Sequence, residues 1–332
     1  MRKITSNLAL GPMSVPIIEA IIRYSHFHRK QLMIIPSKNQ VDTNKGYVMK
    51  TKEFMDYIQE LKEKYHNANI LICRDHCGPG FDGNPSLDPV YETLKSDIEN
   101  NFDLIHIDFC HYNPKEKQLE ETKKAIEFCL KSNPNIRIEI GTDENEGTNY
   151  TLQNLDELER EINYFSEYKD NIEFYVVQTG SLIKEINQVG NFNKEFIKKV
   201  YEIVKKKGLK LKEHNADYLD KQQLQERRGI VDAQNIAPNL GVIQTSIILS
   251  KCLIYGIKFD DFLEVVYNGE KWKKWMFKNT PENKLLCCLI AGHYHFNSEE
   301  YKKIYRKLEE REDIKETIMN EIEKVISHYL EE

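Results

Sequence analysis

The chain has 332 residues, a mass of 39.2 kDa and a formal net charge of −6, a length that suits one barrel-sized domain with an added segment rather than a minimal domain. The weakly acidic balance disfavours nucleic acid and anionic membrane surfaces as partners, and no run reaches the roughly 18 apolar residues that a membrane span needs. The opening residues, MRKITSNLALGPMSV, lack a long apolar stretch, so no secretory leader is expected; the seven cysteines show no paired metal-knuckle spacing and read as reduced thiols of a cytoplasmic protein.

Short runs rich in Ile, Leu and Val predict strands at 7–11, 31–36, 69–74, 103–109, 135–141, 171–178, 209–213 and 229–233. Continuous apolar runs of this kind suit strands of a parallel sheet covered on both faces. Between them a period near 3.6 predicts helices: 16–24, opening on a Pro that favours the first turn; 52–65, with Phe54, Ile58 and Leu61 on one stripe; then 117–131, 154–166 and 193–207. Alternating strands and helices imply right-handed βαβ units, and eight repeats imply closure into a (β/α)8 TIM barrel over residues 1–250. From about residue 246 strand signals stop. Residues 251–332 are expected to form a helical extension packed on the barrel or used in oligomerisation. An open doubly wound sheet is the structural alternative, but no glycine-rich nucleotide fingerprint follows any strand.

Barrel active sites lie at the C-terminal ends of the strands. There the sequence places Asn39 and Gln40 after the second run, Asp75 and His76 after the third, and Asp108 on the fourth. Glu139, then Asp143 and Glu144, belong to the fifth; Gln178, Gly180 and Ser181 to the sixth; His214 and Asp217 to the seventh; Asn235 and Asn239 follow the eighth. Carboxylates together with His at one rim are what a divalent metal and an acid/base pair require. Each also admits a structural reading: Asp75 as a helix cap, His214 as a core histidine, 143–146 as a solvated turn, Gly180-Ser181 as a plain turn. No lysine sits convincingly within a strand, Lys212 being the nearest case, which argues against an imine route.

The stretches SVPIIEAII, PSKNQVDTNKGYVMKTKEF, CRDHCGPGF, IHIDFC, IEIGTDE, VVQTGS, KEHNADYL, NIAPNLG and GEKWKKWMF, in that order, resemble the accessory-subunit family of tagatose-bisphosphate aldolase, a branch of the class II aldolase barrels. That resemblance implies a zinc ion held by histidines. Asp75 then resembles the proton donor to the aldehyde oxygen, and His76 and His214 resemble metal ligands. Glu139 resembles a strand-five Glu near the metal, and Asp143 or Glu144 the proton-abstracting base. At strand six the wider class has a third His, where this chain has Gln178. The remaining ligands are then Glu139, Gln178 or water, and manganese or another divalent ion is open beside zinc. Gly180, Ser181 and the loop from Asn235 to Asn239 are expected to cradle a phosphate through backbone amides. Asn39, Gln40, Asp108 and Asp217 are assigned to the substrate.

The function this implies is a metal-dependent class II aldolase-type lyase acting on a ketose phosphate or bisphosphate by retro-aldol cleavage through an enediolate. The same chemistry serves C4 epimerisation. The alternative is a non-catalytic accessory subunit that supports a separate aldolase. The expected partners are a sugar phosphate and either further copies of the chain or a catalytic aldolase subunit.

Overall fold

The structure, a computed structural model, describes residues 3–142 and 152–331. Eight parallel strands close into a barrel: β1 (Leu8–Leu10), β2 (Gln31–Ile34), β3 (Asn69–Cys77), β4 (Leu104–Ile107), β5 (Arg137–Gly141), β6 (Ile172–Val177), β7 (Lys210–Glu213) and β8 (Ala233–Ile236). Each pairs with the next, and β1 closes the ring on β8 through Leu8↔Gln234 and Leu10↔Ile236. The expected TIM barrel is the observed fold. Two-residue alternation along a strand sorts the side chains. Ala9, Met33, Leu71, Cys73, Leu104, Phe174 and Ala233 fill the lumen as one buried cluster, while Leu8, Leu10, Leu32, Ile34, Ile70 and Ile72 pack against the surrounding helices.

Helices α1 (Val15–His28), α2 (Thr51–Lys64), α3 (Asp88–Glu99), α4 (Gln118–Ser132), α5 (Leu152–Tyr164), α6 (Lys194–Lys206), α7 (Lys221–Arg227) and α8 (Pro238–Tyr255) follow the strands. Helix α1 starts where the Ser14 hydroxyl accepts the Ile17 amide, with Pro16 in the first turn. Helix α3 was not among the expected helices. Its buried stripe holds only Val90 and Leu94 as large apolar residues and then Asp97, so the apolar period is broken by a carboxylate. Asp97 lies there because Arg74, on the outward face of β3, meets it through two 2.6 Å bonds in full burial. Arg74 also reaches the carbonyls of Pro36 and Val41 and ties the loop after β2 to the wall.

The eighth strand lies at 233–236 rather than 229–233. The amides of Ile230 and Val231 both bond the Arg227 carbonyl, closing a turn after α7 with Gly229 at φ 79°. The chain extends only once the Asp232 amide reaches Leu211. The apolar pair thus packs at the end of a helix, and the strand itself is the less apolar Ala-Gln-Asn-Ile.

Beyond β8 the chain is helical: α8 runs through residue 250 and is followed by α9 (Asp260–Asn268), α10 (Lys284–Ala291), α11 (Glu299–Glu309) and α12 (Ile314–Leu330). Helix α12 lies on α1. Arg23 spans to Glu316 (2.6 Å), Glu323 (2.7 Å) and Asn320 (2.9 Å), while Ile314, Ile318, Ile322 and Ile326 share one core with Ile17, Ile18, Ile21 and Ile22. Burial of each such side chain contributes ~1.5–3 kcal/mol. Among the described residues no helix is long and apolar enough to cross a membrane. All seven cysteines are free thiols.

Candidate metal centre

Four side chains converge at the C-terminal mouth of the lumen: Asp75 and His76 of β3, His106 of β4, and His214 just past β7. Their potential ligand atoms all lie within 4.8 Å of one another. Sequence parity delivers His106. Ile105 and Ile107 face the helices, so His106, like Leu104 below it and Asp108 above it, faces the lumen. His214 follows Lys212 on the lumen side of β7 by the same rule.

Asp75 and His76 are adjacent, and strict alternation would send one of them outward with Arg74. A bulge prevents this. The pairing of β3 with β4 slips between Arg74↔Ile105 and Cys77↔Ile107, and His76 takes φ 40°, a left-handed conformation that costs a non-glycine residue about 1–3 kcal/mol.

Each imidazole is oriented by an oxygen that can only accept. His76 Nδ1 lies 2.8 Å from Asp108 Oδ2, His106 Nε2 lies 2.8 Å from the Gly141 carbonyl, and His214 Nε2 lies 2.9 Å from Glu139 Oε1. A carboxylate or carbonyl fixes the facing nitrogen as the N–H donor. The inner nitrogens, His76 Nε2, His106 Nδ1 and His214 Nδ1, are then acceptors on the side of the rings that faces the cluster. His76 Nε2 and His214 Nδ1 are 3.1 Å apart, close enough to share a proton or to hold a cation between them. The Asp75 Oδ1 atom is 3.8 Å from His214 Nδ1 and 4.0 Å from His76 Nε2, and Asn235 Nδ2 steadies it at 3.4 Å. His106 Nδ1 also meets the His76 amide in a long 3.4 Å contact. Phe81 stacks on His76 with ring centroids 4.8 Å apart.

The electrostatics fit this assignment. Burial lowers the pKa of His106, which keeps it neutral with a lone pair to give. Burial works to raise Glu139, but the Lys212 ammonium and the bond from His214 hold it well below the usual carboxylate range. Asp108 likewise stays below its ordinary value despite burial, through its bond to His76. Three imidazoles form a donor set that suits zinc and its first-row neighbours, with one carboxylate beside them.

The remaining expected site residues fall out as follows. Glu139, expected as a ligand, accepts from His214 on one oxygen and from Lys212 Nζ, at 2.6 Å, on the other. Gln178 is buried just past the end of β6. Asp108 orients His76 and accepts the Cys110 amide. Ser181, expected at a phosphate, bonds Glu213 Oε1 at 2.6 Å, as Thr179 does at 2.5 Å; Glu213 is in turn held by Arg227 at 2.7 Å. Gly180 adopts φ 92° in the turn between them. Asp217 Oδ1 accepts the amides of Ala237 and Asn239 at 2.9 and 2.8 Å, so this carboxylate takes two of the amides at the start of α8 expected to serve a phosphate. Its burial raises its pKa to about 7. Gln40 accepts the Ser37 amide and Asn39 bonds the Phe81 carbonyl, both closing the loop after β2. Asp143 and Glu144 lie outside the described residues.

No family model and no curated protein sequence matches the chain. Solved structures do. A crystal structure described as a probable tagatose 6 phosphate kinase from Sinorhizobium meliloti 1021 is similar with a TM-score of 0.80 at 15 % identity, over 97 % of this chain and 98 % of that one. A fructose-bisphosphate aldolase from Campylobacter jejuni gives 0.62 at 12 % identity, over 98 % and 90 %. The YdjI aldolase from Escherichia coli K12 gives 0.53 at 13 %, over 91 % and 90 %. At these identities the likeness is one of fold: an α/β barrel of the kind found in those proteins.

Proposed function

We propose that the chain is a metal-dependent, aldolase-type lyase acting on a ketose phosphate, with His76, His106 and His214 as the imidazole ligands of a divalent ion, most naturally zinc. The observation that carries this reading is the convergence of three inner imidazole nitrogens, each with its outer nitrogen already committed to an oxygen. A divalent ion there supplies Lewis-acid stabilisation of the negative charge that carbon–carbon cleavage leaves on the donor fragment. The protein's own side chains do the rest. Asp75, at the mouth and 17 % exposed, is placed to carry a proton to and from the oxygen of the aldehyde fragment. Asp108 and Glu139 hold two of the rings in the tautomer that binding requires. The sugar-phosphate class is named because neighbours of the same fold bear tagatose 6 phosphate and fructose-bisphosphate names.

The accessory-subunit alternative comes with the family resemblance, and the lack of a third imidazole at the sixth strand favours it. An imidazole from β4 removes that ground and supports catalysis. The test is metal analysis of the purified chain beside His76→Ala, His106→Ala and His214→Ala, followed by a screen of ketose phosphates for cleavage or C4 epimerisation. Near-stoichiometric metal lost in all three variants is expected. Wild-type protein that stays metal-free after incubation with zinc, cobalt or manganese would sink the reading.

A further inference from the structure

Beneath the three imidazoles lies a buried ammonium that the proposed chemistry does not itself use. Lys212 points into the lumen with 1 % of its side chain exposed, and its Nζ sits 2.6 Å from Glu139 Oε2; Glu139 is fully buried. Its other oxygen takes the His214 Nε2–H at 2.9 Å and lies 3.7 Å from His106 Nδ1. Glu139 is therefore a carboxylate at the very edge of the imidazole cluster, and one ammonium and one imidazole occupy its two oxygens. Below the ammonium is apolar packing: the Phe174 ring centroid is 5.2 Å from Lys212 Nζ, and Cys73 and Leu104 belong to the same buried cluster as Phe174. A lysine in such a place is costly unless paired, so its pairing with Glu139 needs an explanation beyond packing.

We infer that Lys212 is a positioning residue that withholds Glu139 from the metal, keeping the donor set at three imidazoles and thereby setting which ion the site prefers. This rests on the reading of the site as a metal centre. With Glu139 held back, a divalent ion faces three neutral rings, and Asp75 beside them is left to carry the proton. The site keeps a net positive charge, as a Lewis acid needs, and favours ions that take imidazole well. With Lys212 removed, Glu139 becomes a carboxylate ligand within reach. A hard, charged oxygen donor lowers the net charge of the centre and shifts preference toward manganese. Lys212 also leaves Oε1 as the acceptor for His214, so its loss loosens that ring.

The experiment loads the full-length protein with cobalt(II), zinc or manganese and reads the cobalt absorption spectrum and the ratio of zinc to manganese affinity by competition with a chelator. Lys212→Met should move that ratio toward manganese by about tenfold or more, within the roughly 10–100-fold effects of outer-shell changes. The cobalt bands should weaken as coordination number rises. The double variant Lys212→Met/Glu139→Gln removes the freed carboxylate and should return both readouts toward wild type. Lys212→Gln keeps a donor and removes only the charge. It serves if Lys212→Met does not fold, and should shift in the same direction. A ratio within about twofold of wild type in both single variants, or a shift that persists in the double variant, overturns the inference while leaving the metal centre standing. A wild-type protein that binds none of the three ions overturns both.

Discussion

The lower and upper halves of the barrel lumen are built by the same strands and could hardly differ more. A single residue separates Leu104 from His106, Cys73 from Asp75, and Ala233 from Asn235. The lower set packs as an apolar plug. The upper set holds His106, Glu139 and Lys212, each no more than 1 % exposed, and depends on hydrogen bonds and charge pairing for its burial to be tolerable. The plug needs nothing beyond its own contacts. The difference teaches that stability and chemistry are stacked along the barrel axis: close packing carries the fold below, and hydrogen bonds and charge pairing hold the site above.

The sharpest way to break the comparison is to damage the lower half alone. Leu104→Ala should cost about 2–5 kcal/mol of stability through the cavity it leaves, measured by denaturant unfolding, while each molecule that remains folded binds metal as before. Loss of metal from folded Leu104→Ala would show that the halves are not separable. Next in size, His106→Leu extends the plug upward by one layer. Metal binding should fall by more than the roughly 100-fold of outer-shell losses, yet the metal-free protein should unfold within about 1.5 kcal/mol of wild type or above it, since an apolar residue replaces a buried polar one. A large loss of stability would mean that the Gly141 carbonyl cannot do without its donor.

The smallest effect concerns the rim. Asp217 has its pKa raised to about 7 by burial, so the folded state holds a proton that the unfolded state releases near its ordinary value of about 3.9. Its contribution to stability is therefore present at low pH and declines as pH rises between about 4 and 7. Asp217→Asn keeps an oxygen for the Ala237 and Asn239 amides and abolishes that decline. Its stability relative to wild type should climb across this window and level off above it. A difference that is flat with pH would show that the carboxylate is not titrating there.

Much of this was readable beforehand. The strand-helix alternation predicted the barrel, and the positions of Asp75, His76 and His214 at strand ends marked the rim. Parity would have added His106, because Asp108 was already placed on the same strand and the two share a face. Other features depended on contacts between segments remote in sequence. Helix α3 carries Asp97 where its stripe should be apolar, and only the pairing with Arg74 explains that. The start of α8 is capped by Asp217, far back in the chain, so no local motif announces that its amides are taken. Strand β8 hides behind Ile230 and Val231, whose apolar pair imitates a strand while closing a turn.

The bulge between Arg74 and Cys77 has a consequence for how this barrel can change over evolutionary time. It resets the phase of β3 by one residue, so the centre depends on chain length there as much as on side-chain identity. Removing Cys77 would restore regular alternation and rotate His76 toward the helix layer, with every ligand still encoded. Substitutions at the rim can be explored one at a time; an insertion or deletion in β3 dismantles the centre in a single step, and a lineage that keeps the imidazoles must also keep the spacing.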